Sequence, residues 1–168
     1  MIAVCPGSFD PVTVGHIDII RRAAAIFDKV YVAVLHNPKK NPLFTEEERV
    51  ELLRRTTAGL SNIEVESFDG LLTDYAVRKG AGVIVKGLRA VSDYEYEFQM
   101  ALANRRLNPN IETVFLTTSA ENMFLSSSVV KQIASFDGDI SSFVPAEVCD
   151  IISERLREKT SMKRSDNL

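Results

Sequence analysis

The fold is decided by a stretch near the amino terminus, residues 2–35, which reads IAVC, PGSFDPVTVG, HIDIIRRAAAIF, DK and VYVAVL in five consecutive pieces. The first and last pieces are short runs rich in β-branched residues, which are typical of buried strands. The third piece repeats apolar residues at spacings of three and four, which predicts a helix with one buried face, formed by Ile17, Ile20, Ala24 and Phe27. Residues 2–35 therefore predict a strand, a crossover helix and a second, parallel strand.

The same alternation continues along the rest of the chain. Strand-like runs recur at residues 63–66, 83–86 and 113–116, and helix-like segments separate them. Each crossover helix has to bury its apolar stripe against the sheet, and short links favour helices on both faces. The sequence thus predicts the α/β class, as a doubly wound, five-stranded parallel sheet with helices on both faces.

Local capping signals predict where the helices begin. Thr45 with Glu48, and Ser92 with Glu95, each match the capping box, in which a hydroxyl and a carboxylate three residues later satisfy free backbone N–H groups. Ser126 opens a further predicted helix over residues 126–134 in the same way. Helices are therefore expected after each of these caps.

Glycine, proline and polar residues predict where elements and the domain end. Gly80 is expected to end the helix before it, and Pro145 is expected in the first turn of the last helix. No repeat or linker divides the chain, so residues 1–159 are predicted to form a single domain. The polar residues 160–168 are expected to fray as a disordered tail.

Composition restricts the class of protein further. The 168 residues include 20 Lys and Arg against 23 Asp and Glu, a formal net charge of −3, which argues against general nucleic-acid or anionic-membrane binding. No apolar run approaches the roughly 18 to 20 residues that span a bilayer, so a membrane protein is excluded. The two cysteines, Cys5 and Cys149, and the lack of a leader-like segment before the first strand predict a cytoplasmic protein without a disulfide framework.

The loop after the first strand is the first candidate for a functional site, because open α/β sheets bind ligands beyond the carboxyl ends of their strands. Residues 6–16 contain Ser8 and His16 and lead directly into a helix. A helix N-terminus attracts phosphate, and its dipole favours a neutral imidazole that donates a hydrogen bond. The alternative is an ordinary turn with a histidine that is solvated or caps the helix.

Three further loops carry basic or hydroxyl groups at the same predicted edge. Lys39 and Lys40 stand between prolines after the second strand, where the alternative is a solvated surface patch. The fourth strand ends in the run KGLR at residues 86–89, so a buried strand ends next to two bases. Three serines at residues 126–128 precede a helix, and capping alone explains one of them.

These motifs together resemble the bacterial phosphopantetheine adenylyltransferases. The histidine loop and the serine-rich loop mark the nucleotidyltransferase superfamily of Rossmann-like enzymes. The runs KGLRAVSDYEYE at residues 86–97 and FTEEER at residues 44–49 narrow the resemblance to this family, and it covers about residues 1–158.

The resemblance implies a reaction and a set of site residues. ATP and 4′-phosphopantetheine would give dephospho-coenzyme A and pyrophosphate, with Mg²⁺ as the cofactor. His16 would stabilise the transition state, and Lys40 and Arg89 would act with it. The implied ATP-binding residues are Ser8, Phe9, His16, Gly87, Leu88, Arg89, Glu97, Asn122, Met123, Phe124, Leu125, Ser126, Ser127 and Ser128. The implied phosphopantetheine-binding residues are Ser8, Lys40, Leu72 and Lys86.

The implied chemistry agrees with the residue types. A phosphate monoester has its second pKa near 6, so the attacking phosphate needs no general base. Positioning and charge stabilisation can then drive an in-line displacement. A Mg²⁺ held mainly by substrate phosphates and water leaves no ligand motif in the sequence. The family also implies a homohexamer, and it leaves open feedback by coenzyme A.

Several other functions share part of this pattern. A nicotinamide-mononucleotide adenylyltransferase or a glycerol-phosphate cytidylyltransferase would have the same histidine and serine motifs, and Lys40, Leu72 and Lys86 discriminate against them. A fragment of a class I aminoacyl-tRNA synthetase is disfavoured by the short, slightly acidic chain. A non-catalytic nucleotide-binding module on the same fold remains an alternative of a different class.

Overall fold

The computed structural model describes residues 1–36, 42–89 and 91–165, and only the backbone of residues 91–93 and 162–165. These residues form one sheet of parallel strands: β1 (Ile2–Gly7), β2 (Lys29–Leu35), β3 (Ile63–Phe68), β4 (Val83–Leu88) and β5 (Glu112–Thr117). The strand order is β3-β2-β1-β4-β5. The predicted five-stranded parallel sheet is confirmed.

Helices alternate with the strands along the chain. They are α1 (Val14–Ile26), α2 (Glu46–Thr57), α3 (Leu72–Arg78), α4 (Val91–Leu107), α5 (Ser127–Ser135) and α6 (Cys149–Ser165), with 3₁₀ turns at Ala120–Asn122 and Ala146–Val148. Within the described residues, none of these helices combines the length and the apolar character that crossing a membrane requires.

The sheet is covered on both faces, as predicted for a doubly wound fold. One core contains β1 and β2 residues such as Ala3 and Val32 with the buried side chains of α1, α2, α5 and α6. The opposite core contains Val4 and Ile84 with Tyr75 of α3. Helix α4 joins this second layer, because the ring of Tyr94 lies 6.3 Å from that of Phe115 on β5.

Two of the predicted caps are present. Thr45 accepts a hydrogen bond from the backbone N–H of Glu48, and the Glu48 carboxylate accepts one from the Thr45 N–H at 2.8 Å. Ser126 caps α5 by accepting from the N–H of Val129 at 3.1 Å. Gly80 has φ 64°, the left-handed conformation that ends a helix without a side-chain clash.

Two boundary predictions were wrong. Helix α4 begins at Val91, so Ser92 lies inside the helix and is not its N-cap. Pro145 precedes a 3₁₀ turn, and α6 begins only at Cys149. Helix α6 ends at Ser165, and the fraying expected for residues 160–168 stays a prediction.

The packing of α6 gives a test of domain organisation. Ile152 is fully buried against the core that α6 shares with α1 and α5, whereas the neighbouring Ile151 is 37% exposed. Ile152→Ala should lower the free energy of unfolding by about 2–5 kcal/mol through lost burial and an unfilled cavity. Ile151→Ala is the matched control and should change it by about 0.5 kcal/mol or less.

Chemical denaturation followed by circular dichroism measures both effects. Unfolding should be a single transition in the wild type and in both variants, because α6 shares a core with the rest of the domain. A separate early transition for α6, or equal effects of the two substitutions, would contradict this packing.

Candidate active site

A cavity of about 490 Å³ opens at the carboxyl ends of β1 and β4. These two strands pair directly, and the chain continues from β1 toward β2 on one side and from β4 toward β5 on the other. Open α/β sheets bind ligands at the crevice where the strand order reverses. The cavity therefore lies where this fold favours a ligand.

Most of the residues that the sequence singled out line this cavity. They come from the loop after β1, from the start of α1, from the end of β4, from α4 and from the start of α5. They are Ser8, Phe9, His16, Lys86, Gly87, Arg89, Glu97, Leu125, Ser126, Ser127 and Ser128.

Other predicted site residues lie elsewhere in the described structure. Leu88 follows Gly87 on β4 but does not line the cavity. Consecutive side chains on a strand point to opposite faces of the sheet. Leu72 packs against the core under α3. Asn122 donates to the Ser119 hydroxyl at 2.9 Å, and Met123 and Phe124 are exposed; none of these three lines the cavity. Their contributions to binding stay predictions.

Lys40 lies outside the described residues, as does the rest of the segment 37–41. The structure resumes at residue 42, just before the N-cap of α2. The predicted role of Lys40 therefore stays a prediction.

Several lining residues were not among the predicted site residues. They are Cys5, Pro6, Gly7, Thr13, Gly15, Ile19, Val85, Tyr96 and Thr118. Thr118 directly follows β5, so the rule that ligands bind beyond strand ends could have found it. Ile19 and Tyr96 sit on helices, and their approach to the cavity depends on how α1 and α4 pack.

His16 occupies the third position of α1 and completes a capping box with Thr13. The backbone N–H of Thr13 donates to Nδ1 of His16 at 3.0 Å, and the His16 N–H donates to the Thr13 hydroxyl at 3.3 Å. His16 therefore does cap the helix, which was the alternative to a functional role. Capping through Nδ1 leaves Nε2 for a ligand, so it does not exclude such a role. Because Nδ1 accepts a hydrogen bond, the neutral ring carries its proton on Nε2.

The surroundings of His16 keep its ring uncharged. Burial, followed by the positive charges of Arg89 and Lys86, lowers the pKa of His16 from 6.5 to about 4. At neutral pH the imidazole is therefore a hydrogen-bond donor through Nε2–H, as the dipole of α1 also favours. Within the described residues, no hydrogen bond engages Nε2.

Phe9 fixes the orientation of the imidazole. Its ring meets that of His16 edge to face, with centroids 5.1 Å apart. Phe9 has φ 49°, an uncommon conformation for a residue with a side chain, which turns the ring back over Gly7. A Cβ on Gly7 would lie 2.7 Å from the Phe9 ring, so a side chain at residue 7 would displace that ring.

Among the described residues, two cations line the cavity, and both contact protein groups. The ammonium of Lys86 lies 3.1 Å from the Glu97 carboxylate, and both side chains are mostly buried. Arg89 donates to the backbone carbonyl of Leu125 at 2.9 Å, which joins the end of β4 to the start of α5. A bound anion would meet positive charge that is already oriented.

The serine-rich motif has a structural role as well. Ser126 caps α5, and the Ser127 hydroxyl donates to the carbonyl of Pro11 at 2.7 Å, which ties α5 to the loop after β1. Ser128 lines the cavity and is exposed. Local structure therefore accounts for two of the three serines, and the N-terminus of α5 lies at the cavity lining.

Cys5 also lines the cavity, but its chemistry is unfavourable for catalysis. Burial raises the pKa of the Cys5 thiol to about 11, and the nearby Lys86 offsets only part of this rise. The thiolate is the nucleophilic form of cysteine, so Cys5 is a packing residue at neutral pH.

The donor set does not fit a metal held by the protein. No group of three His, Cys, Asp or Glu side chains comes together anywhere in the described residues. The cavity carboxylate, Glu97, is paired with Lys86, and Mg²⁺ requires several oxygen donors in near-octahedral geometry.

Comparisons with known proteins agree with this geometry. Residues 4–133 match the cytidylyltransferase-like family model. The fold is similar to the crystal structure of a putative nicotinate-nucleotide adenylyltransferase from Vibrio parahaemolyticus, with a TM-score of 0.66 and 19% identity over 95% of this chain and 93% of that one.

Three phosphopantetheine adenylyltransferases are much more similar in sequence. The protein from Caldanaerobacter subterraneus subsp. tengcongensis is 60% identical over 94% of this chain and 96% of its own length. Those from Alkaliphilus metalliredigens and Heliobacterium modesticaldum are 58% and 56% identical over 92% of this chain, and 98% and 92% of their own lengths. The chain therefore belongs to the phosphopantetheine adenylyltransferases, a nucleotidyltransferase family with the cytidylyltransferase-like fold.

Proposed function

We propose that this chain transfers the adenylyl group of ATP to the phosphate of 4′-phosphopantetheine and so produces dephospho-coenzyme A and pyrophosphate. The observation that carries the proposal is the cavity at the β1–β4 crevice, where neutral His16 lies beside Lys86 and Arg89. The names of the similar proteins support the two substrates.

The reaction is a direct displacement at phosphorus. A phosphate oxygen of phosphopantetheine forms a bond to the α-phosphorus of ATP, and the bond from that phosphorus to the bridging oxygen breaks, so pyrophosphate leaves. The attacking phosphate is largely deprotonated at pH 7, because its second pKa is near 6. This agrees with the environment of His16, whose Nδ1 contacts Thr13 and not a carboxylate.

Charge repulsion is the main obstacle to this step. Two unit charges about 4 Å apart repel by roughly 4 kcal/mol at an effective dielectric constant of 20. Lys86 and Arg89 supply positive charge at the cavity, and we propose that Lys40 adds a third cation. When the cavity contains no anion, the Glu97 carboxylate balances the charge of Lys86. On substrate binding, Lys86 therefore has to exchange Glu97 for a substrate phosphate.

His16 stabilises the transferring phosphoryl group. Its neutral ring donates Nε2–H, while the Thr13 N–H and the edge contact with Phe9 hold the ring in place. A donor fixed before the reaction costs no reorganisation during it, and one such donor contributes roughly 100- to 1,000-fold in rate.

The two substrates use different parts of the site. On the phosphopantetheine side we propose Ser8, Lys40, Leu72 and Lys86. On the ATP side we propose the loop of Ser8, Phe9 and His16, the turn of Gly87, Leu88 and Arg89, Glu97, and residues 122–128. A Cβ on Gly87 would lie 2.9 Å from the Ile19 side chain. Glycine at this position therefore allows α1 to approach β4 closely.

We further propose that Mg²⁺ accompanies ATP and is held by phosphates and water. When bound there, it neutralises part of the phosphate charge.

We also propose a cytoplasmic enzyme, because ATP is a cytoplasmic substrate. We propose that residues 1–159 form one nucleotidyltransferase domain. Coenzyme A shares the pantetheine arm with the product, so feedback by coenzyme A would act by competition at the acceptor side.

We also propose a homohexamer, and the surface of α4 supports association of the chain with copies of itself. Tyr94, Phe98 and Leu102 follow one another at spacings of four along this helix, and each is at least two-fifths exposed. A run of exposed apolar side chains marks an association surface.

Pyrophosphate release tests the proposed reaction. Release should require ATP and phosphopantetheine together, and His16→Ala should lower turnover about 100- to 1,000-fold while the fold survives. His36→Ala is the matched control, because His36 pairs with Glu46 away from the cavity lining, and it should keep near-wild-type turnover.

Three results would contradict the proposal. They are release from ATP alone, release with nicotinamide mononucleotide in place of phosphopantetheine, and near-normal turnover in a folded His16→Ala protein.

A charge on α4 tests the association surface. Leu102→Glu places a carboxylate among exposed apolar side chains, and sedimentation should detect dissociation into smaller species. Val77→Glu on α3 alters a side chain of similar exposure, 55% against 54%, and should leave the assembly intact. Equal dissociation by both substitutions, or a wild-type monomer, would contradict the role of α4.

A further inference from the structure

A buried arginine outside the cavity lining contacts the loop that holds Ser8 and His16. Arg49 is the fourth residue of α2, and it is only 6% exposed. None of the ion pairs among the described residues includes Arg49. A buried charge is costly unless hydrogen bonds or an opposite charge compensate it. The hydrogen bonds of Arg49 therefore indicate what this residue does.

Within the described residues, all hydrogen bonds of this guanidinium go to backbone carbonyl oxygens. Its Nη1 donates to the carbonyl of Ser8 at 2.8 Å and, more weakly, to that of Leu35 at 3.5 Å. Its Nε donates to the carbonyl of Thr45, the N-cap of α2, at 3.3 Å. Hydrogen bonds from a charged donor are about twice as strong as those between neutral groups. One side chain thus joins the loop after β1 to the end of β2 and the start of α2.

The carbonyl of Ser8 belongs to the peptide plane that also contains the N–H of Phe9. The orientation of this plane sets the φ of Phe9, which is 49°. An uncommon backbone conformation of this kind persists only where surrounding contacts hold it. Among the described residues, no backbone N–H group donates to the Ser8 carbonyl, whereas Arg49 does. Arg49 therefore holds the plane that turns the Phe9 ring toward His16.

We propose that Arg49 is a positioning residue, which holds the Ser8–Phe9 peptide so that the Phe9 ring keeps the imidazole of His16 in place. This inference rests on the proposed function, in which His16 stabilises the transferring phosphoryl group. Arg49 does not line the cavity, so it acts through Phe9 and not on a substrate. Loss of its contact should therefore lower turnover more than it weakens the binding of either substrate.

Arg49→Lys tests the proposal, because it keeps the positive charge and shortens the reach. A lysine side chain ends one bond earlier, so its ammonium would stop about 1.3 Å short of the Nη1 position and of its contact with Ser8. We expect kcat to fall about tenfold, since a displacement of about 1 Å that begins away from the chemistry can cost on the order of 100-fold. Each KM should change by about threefold or less.

Arg54→Lys is the matched control. Arg54 lies on the same helix and also donates to a backbone carbonyl, that of Val65 at 3.2 Å, but β3 contributes no residue to the cavity lining. This substitution should leave kcat and both KM values near those of the wild type. In a double-mutant cycle, Arg49→Lys should change kcat by about twofold or less once His16→Ala is present, because both changes act through the same imidazole.

Crystal structures of the two variants give a readout that does not depend on activity. In Arg49→Lys, the φ of Phe9 should depart from 49°, and the ring centroids of Phe9 and His16 should move further apart than 5.1 Å. Arg54→Lys should keep both values.

The outcomes separate the two proposals. If the wild type makes no dephospho-coenzyme A, the proposed function fails, while a displaced Phe9 ring in Arg49→Lys would still support the role of Arg49. An unmoved ring, a wild-type kcat in Arg49→Lys, or equal losses of kcat in both variants would overturn that role. Raised KM values with an unchanged kcat would also overturn it, because only binding would then be affected.

A second variant keeps the inference testable if Arg49→Lys does not fold. Phe9→Leu removes the ring edge through which Arg49 is proposed to act, and it should lower kcat more than it raises either KM. An unchanged kcat in folded Phe9→Leu protein would overturn the inference.

Discussion

Positive charge concentrated at the β1–β4 crevice is the constraint on which the site depends. Phosphates repel one another, so a cavity that holds two substrates with phosphates has to present cations and N–H donors together. Lys86 and Arg89 come from the end of β4, and the N-termini of α1 and α5 meet them across the crevice. The parallel sheet brings all of these groups to one edge.

The same positive charge decides the role of His16. Burial and the two cations keep its pKa near 4, and the Thr13 N–H keeps its proton on Nε2. A general base would need the opposite surroundings, with a carboxylate next to the ring. The site therefore suits a reaction whose nucleophile is already deprotonated and whose transition state needs a neutral donor.

The sequence predicted much of this arrangement because it depends on local patterns. Strand runs, the Thr45 cap, the left-handed Gly80 and the loop of Ser8 and His16 are encoded by residues close together in the chain. The start of α4 was missed because Val91 extends the helix one residue before Ser92, and a capping motif alone does not exclude that extension.

What the sequence could not predict depends on contacts between distant segments. Tyr96 and Ile19 line the cavity because of how α4 and α1 pack, and the contact of Arg49 with the Ser8 carbonyl joins residues 41 positions apart in the chain. Leu72, Leu88 and residues 122–124 were assigned by resemblance, and they do not line the cavity in this structure.

The most direct test of the account is the pKa of His16, measured by NMR titration of its ring. The chain has two histidines, so a His36→Asn variant assigns the signal. We expect a pKa of about 4. An unfolded histidine takes up a proton near pH 6.5, so this depressed pKa should also make the free energy of unfolding fall as the pH drops from about 6.5 to about 4. A His16 pKa near 6.5 would contradict the account, because the ring would then be neither buried nor surrounded by positive charge.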